Sequence, residues 1–144
     1  MTQLKNALTA GNAINPSSPT FLRGALLVDA VASGATAMLV LAAAGILAEL
    51  LAIPATLLRG AGLVLIPYVA LVAYLGMREH APRAAVWAVI AVNALWAAAS
   101  LLLLVSGWIA PNALGHAFVI AQALLVALFG WLQYVALHRQ AAMA

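Results

Sequence analysis

The sequence has no cysteine and very little charge. Without a thiol there is no disulfide, no thiolate metal site and no cysteine nucleophile. Charged residues make up 6% of the 144 residues, against roughly a quarter in soluble domains. Six Lys/Arg and three Asp/Glu are too few to coat a water-soluble globule, so ordinary soluble classes are excluded. There is no phosphate-cradling glycine loop, no His-Glu-x-x-His, no Gly-x-Ser-x-Gly, and no carboxylate pair to share acid and base work. No basic run with interleaved aromatics offers itself to a nucleic acid. These absences argue against an enzyme and imply no cofactor, no metal and no nucleic-acid partner.

What is there is apolar: 67% of the residues are hydrophobic, which makes the lipid bilayer the suitable solvent. About 20 apolar residues cross the hydrocarbon as a helix. Four runs of that order occur, at about 22–48, 58–77, 84–107 and 114–137. Between Arg83 and Arg139 no formal charge interrupts the chain, and only Gly107, Pro111 and Asn112 mark a turn. The fold class expected is all-α, an integral membrane four-helix bundle occupying 21–139. A polar N-terminal tail, 1–20, and a short C-terminal tail, 140–144, flank it. The N-terminal tail is rich in Thr, Asn, Ser and Pro, has little to bury and is expected to be loosely ordered. A cleaved signal peptide is rejected, because the first apolar run is longer than an h-region and contains Asp29.

Lys5, Arg23, Arg78, Arg83 and Arg139 fall on one side of these spans and Arg59 alone on the other. The positive-inside rule then places both termini and the loop Arg78–Arg83 in the cytoplasm. In a bacterium the location is the inner membrane. Pro54 followed by Arg59, and Pro111 followed by His116, open the second and fourth spans alike. Together with the similar cytoplasmic endings at Arg78 and Arg139, they suggest two tandem helical hairpins.

Polar side chains at membrane depth are the candidate site. Asp29 is the only acidic residue inside a span, six residues past Arg23 and so about 9 Å below the charged boundary. Ser33 and Thr36 continue its stripe at i+4 and i+7. Gln133 lies six residues before Arg139, at the depth of Asp29, which makes a hydrogen bond between them plausible. Asn93, Trp96 and Ser100 share a face of the third span, with Ser100 at the depth of Gln122. The candidate intramembrane set is therefore Asp29, Ser33, Thr36, Asn93, Ser100, Gln122 and Gln133. It can form a polar path or proton site, or it can join helices by interhelical hydrogen bonds worth about 0.6 kcal/mol each. A second candidate, at the outer face, is an anion pocket between Arg59 and His116, with Glu49 near enough to pair with Arg59.

His80 and His138 raise a haem reading, although neither lies in a span. Trp87, Trp108, Trp131 and Tyr134 fall where interfacial anchors fall, and Pro67 is expected to kink the second span. Small residues such as Gly34, Gly45 and Gly62 suit close helix packing. The leading functional expectation is an accessory or interaction subunit, associating with itself as a homo-oligomer or with a partner membrane protein. The alternatives are a carrier or channel for a small or apolar solute using Asp29, and a lipid- or haem-binding bundle.

Overall fold

A computed structural model describes residues 1–142. Six helices and no strand occur among the described residues: α1 (Thr2–Ala13), α2 (Pro19–Ala42), α3 (Ala44–Leu51), α4 (Ala55–Met77), α5 (Arg83–Val105) and α6 (Ala113–Ala142). Four of them, α2, α4, α5 and α6, are long and apolar enough to cross a membrane. Residues 140–142, read as tail, continue α6, while Met143 and Ala144 lie outside the described residues.

Local chemistry accounts for most boundaries. Ser18 caps α2, its Oγ accepting from the Phe21 amide at 3.1 Å, and Pro19 follows in the first turn, where a missing N–H costs nothing. Ala52 ends α3 in the left-handed region (φ 53°, ψ 41°), and the Pro54 carbonyl then accepts from the Leu57 and Leu58 amides in the first turn of α4. Pro82 occupies the same place before α5. Gly107 turns the chain out of α5 at φ 77°, a conformation that suits glycine. Asn112 starts α6, with its Oδ1 accepting from the Gly115 amide at 2.8 Å.

Two expectations change. The N-terminal segment read as a loose tail contains helix α1, which packs against α2. The first apolar run, read as one span over 22–48, is broken at Ala43, leaving α2 as the long helix and α3 as a short one. No proline or positive-φ residue stands at the break. Packing decides it: the separate course of α3 buries Ala44 and Leu51 in a cluster with Val40, Ile53, Leu58 and Val119.

α2 packs along α4, α5 along α6, and α2 also meets α6. Glycines set the closeness of these contacts. A Cβ at Gly62 would overlap Val40 and Leu41, and one at Gly76 would overlap Leu27. α2 and α5 face each other without backbone contact, and α4 and α5 barely touch. At the end of the molecule near Arg23, Leu22, Leu26, Val72, Leu75, Val86, Val89 and Leu137 form an apolar cluster. The Ala44 cluster holds the opposite end. The outward faces are large and apolar, with Val31 72% exposed and Leu95 69% exposed, which suits contact with lipid and not with water.

Candidate functional site

Between the two apolar clusters the helices meet through polar side chains. Asp29 is fully buried. Its Oδ1 accepts from Ser33 Oγ, one turn along α2, at 3.0 Å. Its Oδ2 meets three groups from three other helices: the Tyr68 hydroxyl of α4 at 2.8 Å, Asn93 Nδ2 of α5 at 3.0 Å and Gln133 Nε2 of α6 at 2.7 Å. Asn93 Nδ2 also donates to Gln133 Oε1 at 3.2 Å, and the Tyr68 hydroxyl lies 2.7 Å from Asn93 Oδ1. One carboxyl group thus touches all four long helices.

Small residues make that meeting possible. A Cβ on Gly130 would stand 3.2 Å from Asn93 Cβ, so the glycine lets α5 lie close enough for Asn93 to reach Gln133. Gly34 also lies beside Val69, next to Tyr68, but a Cβ there would make only ordinary contact, 3.5 Å from Val69 Cγ1. The cluster takes one polar residue from each of the four long helices: Asp29 from α2, Tyr68 from α4, Asn93 from α5 and Gln133 from α6.

About two turns further from Arg23, a second polar set crosses between α5 and α6. Trp96 Nε1 donates to Gln122 Oε1 at 3.1 Å, Gln122 Nε2 donates to Ser100 Oγ at 2.9 Å, and Ser100 Oγ donates to the Trp96 carbonyl at 2.8 Å. Thr36, placed by its spacing on the Asp29 stripe, turns instead to its own helix and donates to the Ala32 carbonyl at 2.9 Å. Among the described residues no buried side-chain nitrogen or oxygen lacks a partner, as the cost of an orphan polar group in an apolar interior requires.

The space left where α4 and α5 diverge is a cavity in two parts. The smaller, about 50 Å³, lies against Ser33, Tyr68, Asn93 and Phe129. The larger, about 270 Å³, is lined by Val40, Ile53, Leu58, Ser100, Phe118 and neighbours. Thr36, Val64, Leu65, Trp96 and Gln122 border both parts. Its wall includes the exposed Leu57 and Val64 of α4 and Ala99 of α5, so it opens sideways between these helices.

The structure therefore joins Asp29, Ser33, Asn93 and Gln133 in one cluster and Ser100 with Gln122 in another, leaving Thr36 on the cavity wall. The outer-face candidates are not joined. Arg59, Glu49 and His116 are all exposed, and the His116 ring bonds at 3.0 Å to the Asn112 carbonyl of its own chain turn. His138 stacks on Tyr134 with ring centroids 5.7 Å apart, and His80 lies exposed in the loop after α4. Neither histidine borders the cavity. No group of three or more His, Cys, Asp or Glu able to hold a metal occurs among the described residues.

Tyr68 is the member of the site that sequence reasoning missed. The available signal was a phenol at mid-span beside Pro67, in a helix otherwise nearly free of polar side chains. Compared with known proteins, the chain matches no family model, no curated protein and no solved structure.

Proposed function

We propose that this chain is a four-helix bundle with both termini in the cytoplasm that binds a small apolar solute, entering sideways from the bilayer, as a carrier or receptor for it. The observation that carries this reading is the apolar cavity of about 270 Å³ between α4 and α5. An apolar protein cavity of about 150 Å³ stays dry and accepts benzene, so this one suits a molecule of one to two rings. Solute sites pair an apolar wall with a few placed polar groups. Here the second amide hydrogen of Gln122 and the hydroxyl of Ser100 offer a donor and an acceptor to a single polar group on the solute.

The interaction-subunit reading rests on short loops, absent catalytic groups and abundant Gly and Ala. Gly62, Gly76, Gly115 and Gly130 are used in packing within the chain, so they argue less for a partner than their number suggests. Native mass spectrometry after mild extraction separates the two readings. A small molecule retained by the monomer, and lost when Ala61→Phe fills the cavity wall, is the expected result. A solute-free protein held in a stable complex with other chains would favour the interaction reading. Filling the cavity should weaken binding by about tenfold or more, equivalent to about 1.4 kcal/mol.

The orientation is tested separately. The chain is cysteine-free, so a single introduced thiol reports its own side of the membrane. Ser106→Cys should react with an impermeant maleimide on intact cells, and Glu79→Cys only after permeabilisation. The reverse pattern would invert the topology.

A further inference from the structure

The Asp29 cluster contains six polar contacts: Ser33 with Asp29, Tyr68 with Asp29 and with Asn93, Asn93 with Asp29 and with Gln133, and Gln133 with Asp29. Each needs a hydrogen between its two heavy atoms. Ser33 and Tyr68 supply one each and Asn93 supplies two, while Gln133 directs one of its two at the cluster. One contact is left over. The shortage sits at Tyr68, whose single hydroxyl hydrogen cannot serve both Asp29 Oδ2 at 2.8 Å and Asn93 Oδ1 at 2.7 Å. Turning either amide does not cure it. With Asn93 reversed, its oxygen faces the Asp29 and Gln133 oxygens. With Gln133 reversed, its oxygen faces Asp29.

We propose that the missing hydrogen is a proton bound by Asp29, so that the cluster is a proton-binding site at the meeting point of the four long helices. Asp29 Oδ2–H donates to the Tyr68 oxygen, and Tyr68 O–H in turn donates to Asn93 Oδ1, which fills all six contacts. The surroundings agree. Every group that reaches the carboxyl is neutral: Ser33 from α2, Tyr68 from α4, Asn93 from α5 and Gln133 from α6. Tyr68 is the only other titratable group among them. Arg23, the nearest cation along α2, lies six residues away, and its Nε donates to the Gly76 carbonyl of α4 at 3.2 Å. A bare carboxylate here would be a buried ion with no counter-ion, which is costly in an apolar medium.

Tyr68 also lines the smaller part of the cavity. Loss of the proton reverses the Tyr68 hydroxyl, which then donates to Asp29 and gives up Asn93, changing the polar wall that faces a bound solute. Solute binding and proton binding are thereby linked. The linkage rests on the solute-binding reading above, whereas the proton site does not.

Asp29 is the only aspartate in the chain, so carbon-13 aspartate introduced by cell-free synthesis labels a single carboxyl group. The infrared spectrum of the labelled, otherwise unaltered protein at neutral pH should show a carboxylic-acid C=O band displaced by the isotope and displaced again in heavy water. A label that moves only carboxylate bands would overturn the proposal. Asp29→Asn should abolish the acid band, and if that variant fails to assemble, the isotope shift in the unaltered protein still assigns it. In Ala61→Phe the acid band should persist while solute binding falls. A missing band refutes the proton site, whereas an intact band in a protein that binds no solute refutes only the solute reading.

Discussion

Replacing Gln133 by leucine is expected to destabilise the protein by about 2 to 3 kcal/mol, from the cost of leaving buried polar partners unsatisfied. Gln133 is fully buried, and leucine nearly matches its volume, so the loss is one of hydrogen bonds and not of packing. Two partners are stranded: Asp29 loses the 2.7 Å donor and Asn93 Nδ2 loses its acceptor at 3.2 Å. In a membrane a single interhelical hydrogen bond averages about 0.6 kcal/mol, so a cost well above that marks orphaned groups. Titration with SDS in mixed micelles measures the unfolding shift. Pairing the change with Asn93→Leu tests the network itself, because residues sharing hydrogen bonds should show strongly non-additive effects. Strict additivity would mean that Gln133 and Asn93 act independently.

Gly115→Ala should cost about 2 to 3 kcal/mol, the upper part of the overpacking range. Its added Cβ would collide with the backbone oxygen of Leu51 and with Pro111 Cβ. A side chain could rotate aside, but a carbonyl held in place cannot. The same Leu51 oxygen accepts from the Asn112 amide at 3.2 Å, and Asn112 Nδ2 donates to the Leu50 carbonyl at 2.8 Å. Relieving the clash therefore means parting the end of α3 from the start of α6. Gly24→Ala is the matched control, since nothing lies within 4 Å of the position its Cβ would take. The same SDS titration should show a large shift for Gly115→Ala and little or none for Gly24→Ala. Equal shifts would show that helix propensity, and not the close approach to Leu51, governs both.

Run length and charge place the four long helices in the sequence because the bilayer makes one demand, about 20 apolar residues per crossing. The same demand hides the break at Ala43. A run of Ala and Leu reads identically whether it continues or bends, and only the burial of Ala44 and Leu51 against Val119 and Leu58 decides it. Helix α1 is obscured for the opposite reason: a short polar segment with few apolar residues has little to bury and does not meet the length and hydropathy demand of a span.

The polar site was legible to the extent that depth can be counted. Rise per residue pairs Asp29 with Gln133 and Ser100 with Gln122, and both pairs are hydrogen-bonded. Depth alone does not find Tyr68, which lies ten residues from Arg78 while Asp29 lies six from Arg23. Its long side chain makes up the difference. Nor does spacing reveal that Thr36 satisfies its hydroxyl on its own helix, a common outcome for threonine in an apolar span. The cavity has no sequence signature, because it arises from the divergence of α4 and α5 and not from any residue type.

Trp96 borders both parts of the cavity, whereas Trp87, Trp108 and Trp131 are exposed and can be replaced by phenylalanine. In the protein that keeps Trp96 alone, titration with a halogenated benzene in vesicles of fixed lipid content tests the solute site most directly. The account predicts quenching of Trp96 that saturates and that disappears when Ala61→Phe is added. Quenching that rises in proportion to probe dissolved in the lipid, equally with and without Ala61→Phe, would contradict it.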